Sequence, residues 1–140
     1  MLKISLICAG IMAFWASVIN EESAQSILSG YNTMNEEKKK NVDFKGIAKL
    51  YRTVFFSIAA AILLISILSY FFANESLWIA LLILVFCWGL LPLFFLTKKY
   101  DTNSYSKPQL IVNYSVMIFM CVGGFVIALL FFIDPEILID

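Results

Sequence analysis

SGYNTMNEEKKKNVD, residues 29–43, is a polar island between long apolar runs, and its reading decides how the chain is threaded. The chain has 140 residues, of which 61% are hydrophobic, 16% aromatic and only 14% charged, with a mean hydropathy of +0.88. A soluble domain of this size has no means of keeping so much apolar surface out of water, so the composition points to an integral membrane protein. Working outward from the island, runs long enough to cross about 30 Å of hydrocarbon at about 1.5 Å per residue fall at about 4–19, 54–72, 77–96 and 110–133. The first is short, and spans with little tilt or recruits Leu2 and a snorkelling Lys3. Lys3 and the run after it match the opening of a signal peptide, but FWASVINEE at its end offers no A-x-A-like site, so the run reads as a retained helix.

The fold expected is an all-α integral membrane protein, a four-transmembrane-helix bundle in one membrane domain, 1–140. A cytoplasmic segment, 20–53, forms a helical hairpin between helices 1 and 2, and a second cytoplasmic loop covers 97–109. Net charge is zero, but the basic residues are unevenly placed. Lys38, Lys39, Lys40, Lys45, Lys49 and Arg52 lie between the first two runs, and Lys98, Lys99 and Lys107 between the last two. ANES and the tail DPEILID have none, leaving only Lys3 on that side, so the positive-inside rule places both basic loops in the cytoplasm and both termini outside. Tyr51, Tyr70, Trp78, Tyr100 and Tyr105 fall near run ends, where amphipathic rings prefer headgroups, whereas Trp15 and Trp88 lie deeper and are expected between helices.

Inside the segment, EESAQSILS reads as an extension of the first helix past the membrane, ended by Gly30 in a left-handed cap. Thr33 and Glu36 have the spacing of a capping box, predicting a short helix from Met34 to about Asn41. Its acids, Glu36 and Glu37, sit at the positive end of the helix dipole and Lys38 to Lys40 towards the negative end. Asp43 is the expected N-cap of a helix running through FKGIAKLYRT into the second span. There Phe44, Ile47, Ala48 and Tyr51 share one face, with Lys45, Lys49 and Arg52 displayed elsewhere. This predicts a basic amphipathic lead-in at the inner headgroup surface, with anionic lipids as its partners.

Helices in lipid associate through small residues four apart. Ala9, Ala13 and Ser17 form such a stripe, as do Ser57 with Ala61 and Gly124 with Ala128; these are expected contact faces within the bundle, or between copies in a homo-oligomer. In CWGLLPLFF, Pro92 removes a backbone donor and Gly89 lies beside it, predicting a kink.

Chemistry is thin. There is no histidine, and Cys8, Cys87 and Cys121 each stand alone in an apolar run without CxxC spacing, so no disulfide, metal or cofactor is expected. No ionisable side chain lies within a run, where proton relays and ion-coupled transporters keep theirs. No Gly-rich phosphate loop, nucleophile beside a base or nucleic-acid motif is present.

Gly30-Tyr31-Asn32-Thr33-Met34-Asn35-Glu36-Glu37-Lys38, after one membrane helix and before a basic approach to the next, resembles the pattern of the small bacterial membrane proteins grouped as domain of unknown function 3784. The resemblance covers mainly the first half of the chain, to about the second span, with Val42-Asp43 where such sequences often carry an aromatic–Asp pair. It implies a bacterial cytoplasmic membrane protein and brings no activity with it. The third and fourth helices then read as an elaboration.

The expected function is non-enzymatic: a small membrane protein acting through protein–protein interaction in or at the bilayer, as an accessory subunit or as an immunity protein against a toxin. Gly30, Tyr31, Asn32, Thr33, Glu36 and Asp43 are the candidate interaction residues. The alternative is an oligomeric channel or small-molecule transporter lined by Ser57, Ser66, Ser115 and Asn113. A membrane enzyme would need Glu21, Glu22 or Asp43 to converge at the inner surface.

Overall fold

A computed structural model describes residues 2–28 and 30–134 of the chain; the acidic tail beyond Asp134 lies outside the described residues. They form α1 (Leu2–Val18), α2 (Glu21–Ile27), α3 (Glu36–Lys39), α4 (Phe44–Phe71), α5 (Glu75–Gly89) and α6 (Leu91–Leu96). A 3₁₀ turn (Thr97–Lys99) follows, then α7 (Lys107–Ile118), a π-helical turn (Phe119–Gly123) and α8 (Gly124–Ile133). Among the described residues the only β pairing is a single antiparallel bridge, Val42 to Asp101. The protein is all-α and membrane-spanning. Residues 44–71, 75–99 and 107–133 are long and apolar enough to cross, and a fourth crossing is reached if α1 and α2 count as one bent span.

That bend corrects one expectation. EESAQSI does not extend α1; it is a separate helix turned by 113°. The cause is local: Asn20 accepts the Ser23 N–H at 2.8 Å while Ser23 Oγ accepts the Asn20 N–H at 2.7 Å, a reciprocal cap that ends one helix and starts another. Gly30 follows at φ +91°, where a side chain would strain the backbone, and the Tyr31 N–H closes the turn onto the Leu28 carbonyl at 3.1 Å.

The membrane helices pack chiefly in chain order, α1 on α4, α4 on α5, and α5 on α8. On α1 the buried face is Ser5, Ala9, Met12, Ala16 and Ile19, a seam of about 3.5-residue period. It meets Ile58, Ala59 and Ile62 of α4, with a buried hydrogen bond from Ser66 Oγ to Ser5 Oγ at 2.7 Å. The predicted stripe is therefore rotated. Ala9 is in the seam, but Ala13 is only half-buried and Ser17 is exposed, its hydroxyl turned back onto the Ala13 carbonyl at 2.8 Å. Ser57 is likewise exposed and Ala61 half-buried, because the larger Ile58 and Ile62 fill the contact. Gly124 and Ala128 are buried as expected; a Cβ on Gly124 would lie 2.5 Å from Cys87 Cβ.

The interruption expected near Gly89 and Pro92 is present: α5 ends at Gly89, and Pro92 occupies the first turn of α6, where its missing N–H costs nothing. Gly89 also lets the third span approach α4, since a Cβ there would come within 2.7 Å of Ile58 Cγ1. The π-helical turn at 119–123 had no sequence signal. Trp88 packs between helices, stacked on Phe125 with its indole N–H donating to the Cys121 carbonyl at 3.1 Å. Both indoles are nonetheless exposed over much of their surface, Trp88 at 43% and Trp15 at 39%.

The lead-in expectation is also corrected. Asp43 does cap α4, accepting the Gly46 N–H at 2.9 Å. Yet Phe44, Ile47 and Ala48 are buried against Ile19, Ala24, Leu28 and Tyr31, so the apolar face that was to lie on the headgroups is covered by α2 and the following turn.

Candidate functional site

Two segments distant in sequence meet at the end of the molecule that carries most of the basic residues. The 41–43 stretch and the 100–103 stretch run alongside each other: the Asp43 N–H donates to the Tyr100 carbonyl at 2.8 Å, and Thr102 donates to the Asn41 carbonyl through both its N–H (3.3 Å) and its hydroxyl (3.1 Å). Gly46 is required by this docking, because a Cβ there would fall into the Tyr100 ring.

Asp101 is the hub. It is 8% exposed, although it is an acid in a loop. Its Oδ1 accepts the Asn103 N–H at 3.0 Å and the Asn103 Nδ2 at 2.9 Å, and its Oδ2 accepts the Tyr105 hydroxyl. Asn103 Nδ2 also donates to the Lys38 carbonyl at 2.9 Å, and Asn41 Nδ2 donates to Asn103 Oδ1 at 3.1 Å. The island and the second loop are thus one hydrogen-bonded platform. Donors of this number satisfy a carboxylate that would otherwise be costly to bury.

Tyr31 lies within electrostatic reach of the same carboxylate. It is buried, with its ring edge-on to Phe44 at 5.7 Å between centroids, and burial together with the charge and hydrogen bonding of Asp101 holds its hydroxyl protonated far above the usual tyrosine range. Tyr105 is raised in the same direction by burial and by Asp101. Both rings therefore remain donors at any physiological pH.

Beside this hub lies a cavity of about 590 Å³, walled by the α4 side, the end of the third span and α7. Tyr31, Thr33, Lys98, Asp101, Tyr105 and Asn113 give it a polar end. Phe55, Leu90, Leu93, Phe94 and Met120 give it an apolar one. It exists because the last span leans on α5 rather than on α4, leaving a wedge at the basic end.

Of the candidate residues, Gly30, Tyr31 and Thr33 line this cavity, whereas Asn32 is exposed and outside it. The Thr33–Glu36 capping box is absent. Asn35 caps α3 instead, accepting the Lys38 N–H at 2.9 Å, and Glu36 is an exposed first-turn residue paired with Lys39 at 2.8 Å. Asn is as good a cap as Thr, and with Asn35 as N-cap the helix starts two residues later than predicted. Glu21, Glu22 and Asp43 are each exposed, and Asp43 is occupied in capping α4. No group of three or more potential metal ligands occurs among the described residues.

Sequence reading missed Asp101, Asn103 and Lys98. Nothing in a loop reading KKYDTNSYSKP distinguishes a buried Asp from a solvated one. The one available local signal was Ser106 with Gln109, whose Oε1 accepts the Ser106 N–H at 3.0 Å and starts α7.

A family model described as Domain of unknown function (DUF3784) matches residues 6–101. No curated protein and no solved structure matches the chain. The matched region runs past the second span, through α5 and α6, and ends on Asp101. The third helix is therefore part of what is shared rather than an elaboration, and only the span at 107–133 lies beyond it.

Proposed function

The chain belongs to the family described as Domain of unknown function (DUF3784), and from that premise we propose that it is a non-enzymatic binding protein of the bacterial cytoplasmic membrane, its basic end in the cytoplasm and its termini outside. The observation that carries this reading is the state of Asp101. The one buried acid among the described residues has both its oxygens engaged by Asn103 and Tyr105, so it serves to hold the two loops in one shape. A rigid platform displaying exposed Asn32, Glu37 and Lys40 suits recognition of a protein partner, as in an accessory subunit or an immunity protein.

Photo-crosslinking in native membranes tests it. A crosslinker at Asn32 or Glu37 is expected to give one discrete protein adduct, lost when Asp101→Ala loosens the platform, while one at lipid-facing Ile127 gives none. An adduct at twice the chain's mass identifies the partner as a second copy. Ion or solute flux through the purified chain in protein-free liposomes, abolished by Asn113→Leu, contradicts the reading and favours a channel.

A further inference from the structure

The cavity at the basic end is graded in polarity, and the gradient follows depth. Along the third span the lining passes from Leu90, Leu93 and Phe94 to Thr97 and Lys98 and then to Asp101. The apolar wall is α-helical to Leu96, the cation follows in the 3₁₀ turn Thr97–Lys99 and the carboxylate in the loop after it, so the three succeed one another along the chain toward the basic end. The opposite wall repeats the order, with Phe55 below Tyr51 on α4 and Tyr31 beyond them.

Two charges in this wall lack a counter-charge. The single ion pair among the described residues is Lys39 with Glu36. Asp101 is buried with hydrogen-bond donors but no cation at ion-pair distance; the nearby Lys38 ammonium lies over the Tyr105 ring, 5.7 Å from its centroid. Lys98, at the rim, donates to the Tyr114 hydroxyl at 3.1 Å and keeps further protons for an anion. Thr33 and Asn113 add a hydroxyl and an amide to the cavity lining. A ligand matching this wall has an apolar body, then an anion at the level of Lys98, then a cation at the level of Asp101 and its two tyrosine rings.

We infer that the cavity is a binding site for a zwitterionic aminophospholipid of the adjacent leaflet, with its acyl chains against Phe55, Leu93 and Phe94, its phosphate at Lys98 and its ammonium at Asp101. The order of groups is that of the lipid itself, so the molecule enters sideways from the bilayer without inverting. Tyr31 and Tyr105 line the same end and bring hydroxyl oxygens that can accept from the ammonium. A phospholipid with the same phosphate but an uncharged glycerol head would set no cation against Asp101. The site thus selects for the amine, and it does so whether or not the platform also binds a protein.

Native mass spectrometry of the purified full chain in mild detergent, with equimolar dioleoyl phosphatidylethanolamine and dioleoyl phosphatidylglycerol as probes, tests this. The expected result is one retained phosphatidylethanolamine per chain, favoured over phosphatidylglycerol by about fivefold or more. Lys98→Gln, at an exposed rim position, lowers retention of both lipids; Asp101→Asn removes the preference between them. Equal retention of the two lipids by the unaltered protein overturns the inference, as does unchanged retention in Lys98→Gln. If Asp101→Asn does not fold, those two readouts still decide. Soluble phosphoethanolamine is expected not to displace the lipid; complete displacement would reduce the site to a headgroup site and also overturn the assignment.

Discussion

The half of the molecule built on α1 and α4 and the half built on α5 to α8 are both apolar, but they use that apolarity differently. In the most apolar stretch of α4, 33% of the residues are buried within the protein, against 6% in the corresponding stretch of the helix at 75–99 and 11% in that at 107–133. The more hydrophobic spans are the less buried ones. In water the opposite would hold; in lipid, apolar side chains gain nothing by leaving the tails, and helices are joined by close packing, small residues and a few polar contacts. The first half has these throughout, in the Ser5–Ser66 hydrogen bond and the Ala9–Ala16 seam. The second has them at two points, Gly124 on Cys87 and Trp88 on Phe125 and Cys121. What fastens the halves at the basic end is the water-facing platform.

The largest expected effect comes from breaking that fastening. Asp101→Ala strips the acceptor from Asn103 and Tyr105 and is expected to destabilise the detergent-solubilised protein by about 3 kcal/mol, read as thermal midpoint. High pH attacks the same place. Tyr31 and Tyr105 have raised folded-state pKa values, so their contribution is fully present below the ordinary tyrosine value of 10.0 and is lost as pH rises above it. A pH series of thermal midpoints should therefore fall on the alkaline side, and Tyr31→Phe should shallow the fall.

Gly46→Val drives a side chain into the Tyr100 ring and is expected to cost about 2 kcal/mol. A smaller effect sharpens the contrast between halves. Ile62, fully buried in the α1–α4 seam, loses packing when cut to Ala, at a cost of about 2 kcal/mol, the low end for a buried isoleucine because the tails are as apolar as the seam, whereas the same change at lipid-facing Ile127 is expected to leave the midpoint unmoved. Ser66→Ala removes one interhelical hydrogen bond and should cost about 0.6 kcal/mol.

The membrane class, the presence of three long apolar helices and the Asp43 cap were legible because each rests on local composition or spacing. The Gly30 turn was legible for the same reason, since only its position after a polar helix was needed. Helix faces were less so. Small residues on α1 fit two seams that share Ser5 and Ala9, one at a strict spacing of four through Ala13 and Ser17 and one of shorter period through Met12 and Ala16, and only the packing of Ile58 and Ile62 on α4 chooses the second. The platform was not legible at all. Tyr31 could be singled out as lacking a local explanation, but its explanation is Asp101, seventy residues away in the chain and fixed by an Asn–Asn and Tyr–Asp network that no periodicity encodes.

The central claim is that Tyr31 of the turn after α2 is coupled to Asp101 of the second loop, and a double-mutant cycle on thermal stability tests it directly. Tyr31→Phe and Asp101→Asn, singly and together, are predicted to show a coupling energy of about 1 kcal/mol or more. Effects that add to within about 0.3 kcal/mol would contradict it, leaving the motif and the second loop as independent structures.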